Sequence, residues 1–125
     1  MSTENMNIGE AELEIMKVVW NAKEPINANA IGKAVERRGW KRTTIATFLA
    51  RLVDKGALAA ERNGKALYYT PLITASEYKK SQAKTLIQTV FDGSAQDLVA
   101  ALFEEHAFSD EDIKELRAIF EEQEG

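Results

Sequence analysis

Apolar residues in the middle of the chain recur at intervals of three and four. Ile45, Phe48, Leu49, Leu52 and Val53 form one stripe of a helix predicted to begin near Arg42 and to stop at Lys55-Gly56. The opposite side carries Thr43, Ala46, Thr47, Ala50 and Arg51, with Lys41 and Arg42 at its start. These outward residues are small, hydroxylated or cationic. A thin, positive helix face fits a DNA major groove, where bulky or acidic side chains are excluded or repelled. Upstream, Leu13, Met16, Val19 and Trp20 predict a helix over Gly9–Ala22, with Glu10, Glu12 and Glu14 toward its N-terminal end. Glu24-Pro25 breaks it. Asn27 is placed to cap a second helix running through Ile31, Ala34 and Val35 to Gly39.

After Gly56 the pattern changes to that of a hairpin. Asn63-Gly64 is the preferred two-residue turn between antiparallel strands. That turn sets Arg62 opposite Lys65, Ala60 opposite Leu67 and Leu58 opposite Tyr69. The pair is then apolar at its base and cationic at its tip. Like charges facing each other weaken a hairpin slightly, which suits a tip laid against a polyanion; an ordinary solvated turn is the other reading. Three short helices followed by a hairpin is the order of a winged helix-turn-helix domain. Its second and third helices form the helix-turn-helix, the third is the recognition helix, and the hairpin is the wing.

Beyond Tyr69-Thr70-Pro71 the chain becomes purely helical in pattern. Thr74-Ala-Ser-Glu77 is a capping box, opening a helix with Leu86, Ile87, Val90 and Phe91 that ends at Asp92-Gly93. Ser94-Ala-Gln-Asp97 repeats the start signal ahead of Leu98, Val99, Leu102 and Phe103. Ser109-Asp-Glu-Asp112 opens a last helix with Ile113, Leu116, Ile119 and Phe120. Three helices totalling about 50 residues bury their own apolar faces poorly. The expectation is a homodimer through residues 73–125, with Leu86, Ile87, Val90, Phe91, Leu98, Leu102, Phe103, Leu116, Ile119 and Phe120 in the seam. Folding back onto the first domain is the alternative. The expected fold is mainly α with a small β-hairpin: a winged-helix DNA-binding domain over 1–72 and a helical dimerisation domain over 73–125.

Charge supports that division. The net charge of −4 hides an asymmetry. Residues 1–72 hold 11 Lys and Arg against 8 Asp and Glu, while residues 73–125 hold 5 against 12. Arg37, Arg38, Lys41, Arg42 and Arg51 lie in a window from 37 to 53 without a single acid. This predicts a basic docking surface on the first part and an acidic second part held off DNA. A merely solvated basic face is the alternative reading of the window.

The remaining chemistry is sparse. With no cysteine there is no disulfide or thiolate metal site, which fits the cytoplasm. No apolar run approaches the ~20 residues needed to span a bilayer, and Met-Ser-Thr-Glu-Asn-Met-Asn lacks the order of a secretory signal. The one histidine, His106, sits beside Glu104 and Glu105 and reads as a surface residue, not a metal ligand. Ser76, Ser81, Ser94 and Ser109 fall at helix starts or on polar faces, with no histidine placed for nucleophilic work. No glycine-rich phosphate loop appears. No cofactor, metal or catalytic centre is expected. Trp20 reads as core and Trp40 as packing in the helix-turn.

A set of short segments, in order and spacing, carries a resemblance. They are Ala11-Glu12-Leu13-Glu14-Ile15-Met16 with Trp20, then Trp40 followed by Thr44-Ile45-Ala46-Thr47 and Arg51-Leu52. Lys55-Gly56-Ala57-Leu58, Tyr68-Tyr69-Thr70-Pro71-Leu72 and Ser109-Asp-Glu-Asp-Ile-Lys-Glu-Leu-Arg117 complete the set. From about Ile8 to Glu122 the chain resembles the penicillinase-repressor family of winged-helix regulators, the BlaI/MecI type. The resemblance implies a homodimeric transcriptional repressor on a dyad-symmetric operator of double-stranded DNA. It implies recognition-helix contacts at Thr44, Thr47 and Arg51. It also implies release through a sensor-linked protease that cuts within the C-terminal half. Two departures stand out. Where many relatives have Ser-Pro after the tryptophan, this chain has Lys41-Arg42. At the position of the relatives' Asn-Phe cleavage bond it has Ala101-Leu102. The cysteine-rich tail of the copper-responsive branch is absent. The rival reading is a winged-helix module that binds protein without specific DNA binding; an enzyme is a weaker rival still, since no acid–base pair converges.

Overall fold

The computed structural model describes residues 6–124. Met1–Asn5, part of the segment read above for a secretory signal, and Gly125 lie outside the described residues. The order of elements is α1 (Glu10–Asn21), β1 (Ile26–Asn27), α2 (Ala28–Ala34), α3 (Arg42–Asp54), β2 (Leu58–Asn63), β3 (Ala66–Pro71), α4 (Ala75–Thr89), α5 (Ala95–Glu104) and α6 (Asp110–Glu124). Two compact units divide between Gln82 and Ala83, within α4.

The first unit is built on three buried stripes. Ile15, Met16 and Val19 of α1 meet Ile31 and Val35 at α2 and Ile45, Leu49 and Leu52 of α3. Ala57, Leu58 and Tyr69 close the core from the sheet side. The predicted stripes shift slightly. On α1, Ile15 is fully enclosed whereas Leu13 and Trp20 are half-buried. On α3, Phe48 is half-buried and Val53 is exposed. The core-facing strip of α3 is therefore narrower than its sequence suggests, which widens the face left to solvent.

The second helix is shorter than predicted. Asn27 does cap it, its Oδ1 accepting from the Ala30 N–H at 2.9 Å. It ends at Ala34, however, and a tight 3-10 turn over Glu36–Arg38 leads to Gly39. Gly39 has a φ of 66°, the left-handed region where a Cβ is unfavourable. Tightening this turn carries both Arg37 and Arg38 to Glu14 of α1, at 2.6 and 3.3 Å.

The sheet has one strand more than predicted. Two-residue β1 pairs with β3, Ile26 opposite Tyr69 and Asn27 opposite Tyr68, giving the order β1-β3-β2. So short a strand leaves no alternation to read in sequence. The hairpin register also differs. Asn63 pairs with Ala66, Arg62 with Leu67, Ala60 with Tyr69 and Leu58 with Pro71. The turn residues are Gly64-Lys65, not Asn63-Gly64. Gly64, at φ 67°, takes the first central position, where a type II′ turn needs glycine. Arg62 and Lys65 are thus not opposed, and the expected like-charge pair does not form.

The first unit continues past residue 72, where the sequence suggested a boundary. The Trp20 Nε1–H donates to the Ile73 carbonyl at 2.8 Å, and its ring lies 6.0 Å from that of Tyr78. Tyr78 and Ser81, on the first two turns of α4, are buried. Burial, then the charge of Glu12, pushes the Tyr78 phenol above its ordinary value.

In the second unit every predicted helix start carries its cap. The Ser94 hydroxyl accepts from the Asp97 N–H, and Ser109 and Asp112 exchange a reciprocal pair, all at 3.0 Å. The Thr74–Glu77 box at the head of α4 is equally reciprocal. After α5, His106 adopts φ 55°, and the His106 and Ala107 N–H groups bond the Phe103 and Leu102 carbonyls in a Schellman closure. No described side chain between 83 and 123 is buried. Leu86, Val90, Val99, Phe103, Ile119 and Phe120 are exposed. Phe103 meets Phe108 edge-on at 4.9 Å.

Candidate nucleic-acid interface

The recognition surface starts from α3 because that helix is fixed at both ends. At its C-terminus, Lys55 reaches back to the carboxylate of Glu12 near the start of α1. Glu12 also accepts from the Gly9 N–H at 3.0 Å. Burial raises the Glu12 carboxyl; the Lys55 and Gly9 hydrogen bonds and the fields of Lys55 and Arg51 outweigh that and hold it below the ordinary value of 4.5. At the N-terminus, Trp40 packs edge-on against Phe48 at 5.2 Å, with the Arg38 guanidinium 4.6 Å from the indole centre. The backbone of α3 is thereby held from both sides.

The exposed side of this helix consists of Arg42, Thr43, Ala46, Thr47, Ala50 and Arg51, with Lys41 at the N-cap position and Val53 and Asp54 exposed at the C-terminal end. Lys41 makes no side-chain cap, so the first N–H groups of the helix point outward with two cations beside them. Thr44 is half-buried, less available than its neighbours. The Thr47 hydroxyl donates to the Thr43 carbonyl at 3.0 Å. Its proton is spent there, leaving the methyl and the oxygen lone pairs outward. On the hairpin, Arg62 and Lys65 are exposed.

The basic window divides in the structure. Arg37 and Arg38 are tied to Glu14. Lys41, Arg42 and Arg51, together with Arg62 and Lys65 of the hairpin, have no ion-pair partner among the described residues. The pairing joins residues 23 positions apart, and nothing local in the sequence announces it. The five unpaired cations are those the sequence assigned to the interface.

A thin helix face ringed by cations, beside a cationic wing in a helix-turn-helix frame, has the shape and charge that suit a polyanion. Residues 8–122 match the family model described as penicillinase repressor. The chain belongs to the penicillinase repressor family. The penicillinase repressor of Bacillus licheniformis is 36% identical over 116 residues, 92% of this chain and 90% of that protein. The methicillin resistance regulatory protein MecI of Mammaliicoccus sciuri is 31% identical, covering 95% and 97%. Among solved structures, the DNA-binding domain of the repressor BlaI is similar, at 42% identity and a TM-score of 0.53, covering 58% of this chain and 89% of that one. Monomeric B. licheniformis BlaI in complex with the blaP half-operator matches at 42% identity and a TM-score of 0.50, covering 58% and 88%. This penicillinase repressor family member has a winged-helix first unit like those structures. Among its described residues no helix is long and apolar enough to cross a membrane.

Proposed function

We propose that the chain represses transcription as a homodimer on a dyad-symmetric operator, with α3 in the major groove. The repressor's role comes with the family. The observation that supports the placement is the outer face of α3 from Arg42 to Arg51, free of acids and of large apolar groups while its inner face is locked into the core; Val53 and Asp54 are exposed only at the C-terminal end. Two such helices, one per protomer, enter successive major grooves about 34 Å apart. Arg51 bonds a guanine edge or a phosphate, and Thr47 presents its methyl to a thymine. Thr43 and Thr44 flank it, Thr44 as a backbone-facing contact. Lys41 and Arg42 meet phosphates where the chain enters the groove, and Arg62 and Lys65 lie along the flanking backbone. The segment 73–125 holds the protomers together through its unburied apolar residues.

Release follows from the same division. A cut at Ala101-Leu102, by a protease linked to a sensor, separates the halves of the dimerising segment and lowers operator affinity. Both residues are half-buried within α5, so the bond becomes available only when that helix opens locally.

The decisive experiment measures binding of the purified chain to a duplex from its own upstream region and to a scrambled duplex of equal length. Preference for the upstream duplex, lost on Arg51→Ala, supports this reading. Equal, weak binding to both, with a partner protein captured through α3 instead, overturns it.

A further inference from the structure

The opening turns of α4 leave a cleft of about 560 Å³ against α1. From α1 it takes Leu13, Lys17, Trp20 and Asn21; from α4 it takes Ala75, Tyr78, Lys79 and Gln82. Both sets follow the three-and-four spacing of a single helix face. None of the residues assigned to the DNA interface lines it. The whole cleft lies in the first unit, which ends at Gln82.

Burial grades this lining from floor to rim. Tyr78 is buried and Leu13, Trp20 and Ala75 are half-buried, whereas Lys17, Asn21, Lys79 and Gln82 are exposed. The floor is therefore apolar and partly aromatic. The Trp20 Nε1–H is already donated to the Ile73 carbonyl, so the indole offers the cleft only ring surface. That ring and the Tyr78 ring lie 6.0 Å apart and tilted by 38°, and a flat apolar body packs well against such surfaces. The rim carries one cation from each helix and no acid. Neither Lys17 nor Lys79 has an ion-pair partner among the described residues, in a chain whose net charge is −4. An apolar floor with a few polar groups at its edge, in a volume of roughly 300–1,000 Å³, is the ordinary form of a small-molecule site. A protein interface takes about 20–30 residues a side, and this cleft has eight.

We propose that the α1–α4 cleft binds a small, planar aromatic carboxylate. Its ring lies on the floor beside Trp20 and Tyr78. Its carboxylate sits at the rim and accepts from the Lys17 and Lys79 ammonium groups, with the Asn21 and Gln82 amides as further donors. Such a ligand ties α1 to the opening turns of α4. That helix runs on beyond Gln82 into the second unit, so occupancy acts on the segment that joins the two units. The inference stands apart from the DNA-binding reading, since it uses none of the same residues.

Calorimetric titration of the full-length protein tests this with 2-naphthoate, neutral 2-naphthamide and acetate. 2-Naphthoate binds once per protomer. 2-Naphthamide, which keeps the ring and loses the charge, binds about tenfold more weakly, and acetate, which keeps the charge and loses the ring, gives no heat of binding. Lys17→Gln and Lys79→Gln each lower 2-naphthoate affinity about threefold and together about tenfold, the range for ion pairs open to solvent. Affinity for 2-naphthamide stays as it was. Both lysines are exposed, so the double variant keeps the wild-type Tm without ligand, while saturating 2-naphthoate raises the wild-type Tm. A cleft of about 390 Å³ between α5 and α6 provides the control. It also sets aromatic rings, Phe103, Phe108 and Phe120, beside a cation, Arg117, but adds an acid, Glu121. Arg117→Gln leaves 2-naphthoate binding unchanged. The inference is overturned if binding is lost in Arg117→Gln and kept in Lys17→Gln/Lys79→Gln, or if 2-naphthamide binds as tightly as 2-naphthoate. It is equally overturned if 2-naphthoate does not bind at concentrations up to about 5 mM.

Discussion

At Thr47 the structure separates two jobs that one side chain can do. Its hydroxyl proton is held by the Thr43 carbonyl, so no donor is left for a phosphate. What remains available on this exposed residue is a methyl group and the oxygen's lone pairs. Thr47→Val keeps that methyl and should retain most operator preference, whereas Thr47→Ser removes it and should reduce discrimination by about 1 kcal/mol per contacted base pair. Paired titrations on operator and scrambled duplexes check this; equal losses on both duplexes with Ser exclude a base-reading role. Glu12 poses a stability question at the same scale. Its folded pKa lies below the ordinary 4.5, so its contribution is complete above pH 4.5 and is lost as the pH falls through the folded value. Glu12→Gln should cost about 1.5–3 kcal/mol at neutral pH, the range for a hydrogen bond to a charged group. It should also flatten the acid limb of a Tm-against-pH curve. A limb as steep in the variant as in the wild type would place the acid sensitivity elsewhere.

Among the elements, α3 and the wing should carry the salt dependence of the proposed DNA binding. Lys41→Ala/Arg42→Ala should lower the log–log salt slope by about 0.9 for each phosphate released, and a slope unaltered in the double variant would remove those two from the backbone. How far the sequence disclosed these elements depended on the range of the interactions that set them. The helices with strong caps, Asn27, Thr74, Ser94 and Ser109, were legible because a cap and its partner lie three residues apart. The outward face of α3 was legible because it is the complement of a local stripe. Three features were not. The early end of α2 depends on Arg37 and Arg38 reaching Glu14. The two-residue β1 exists only because β3 is beside it. The hairpin register follows glycine at the first turn position rather than the Asn-Gly dipeptide. The candidate site was thus legible where it follows from local signals, the stripe of α3 and the turn of the wing, and illegible in the pairing of Arg37 and Arg38 with Glu14, which removes two cations from the basic window.

For the whole molecule, the second unit leaves Phe103 48% and Phe120 61% exposed, with Val90 and Ile119 more than half exposed as well. A segment with so little buried apolar surface gains most from a second copy. Phe120→Glu should raise the dimer dissociation constant at least about a hundredfold, since burying one phenylalanine contributes roughly 1.5–3 kcal/mol and symmetry counts it twice. Sedimentation velocity would then report protomer mass at concentrations where the wild type sediments as a pair, and operator binding would weaken in step. A variant that still sediments as a dimer would place the seam on another face. The two indoles add an optical dimension to all of this. Trp20, half-buried against the core, is anchored to the Ile73 carbonyl, while Trp40 stands at a cleft beside α3 under a guanidinium. Fluorescence emission from Trp40 should shift when a duplex arrives and that from Trp20 when the chain melts. With Phe substituted at one position or the other, the protein becomes its own unlabelled gauge of occupancy or of integrity.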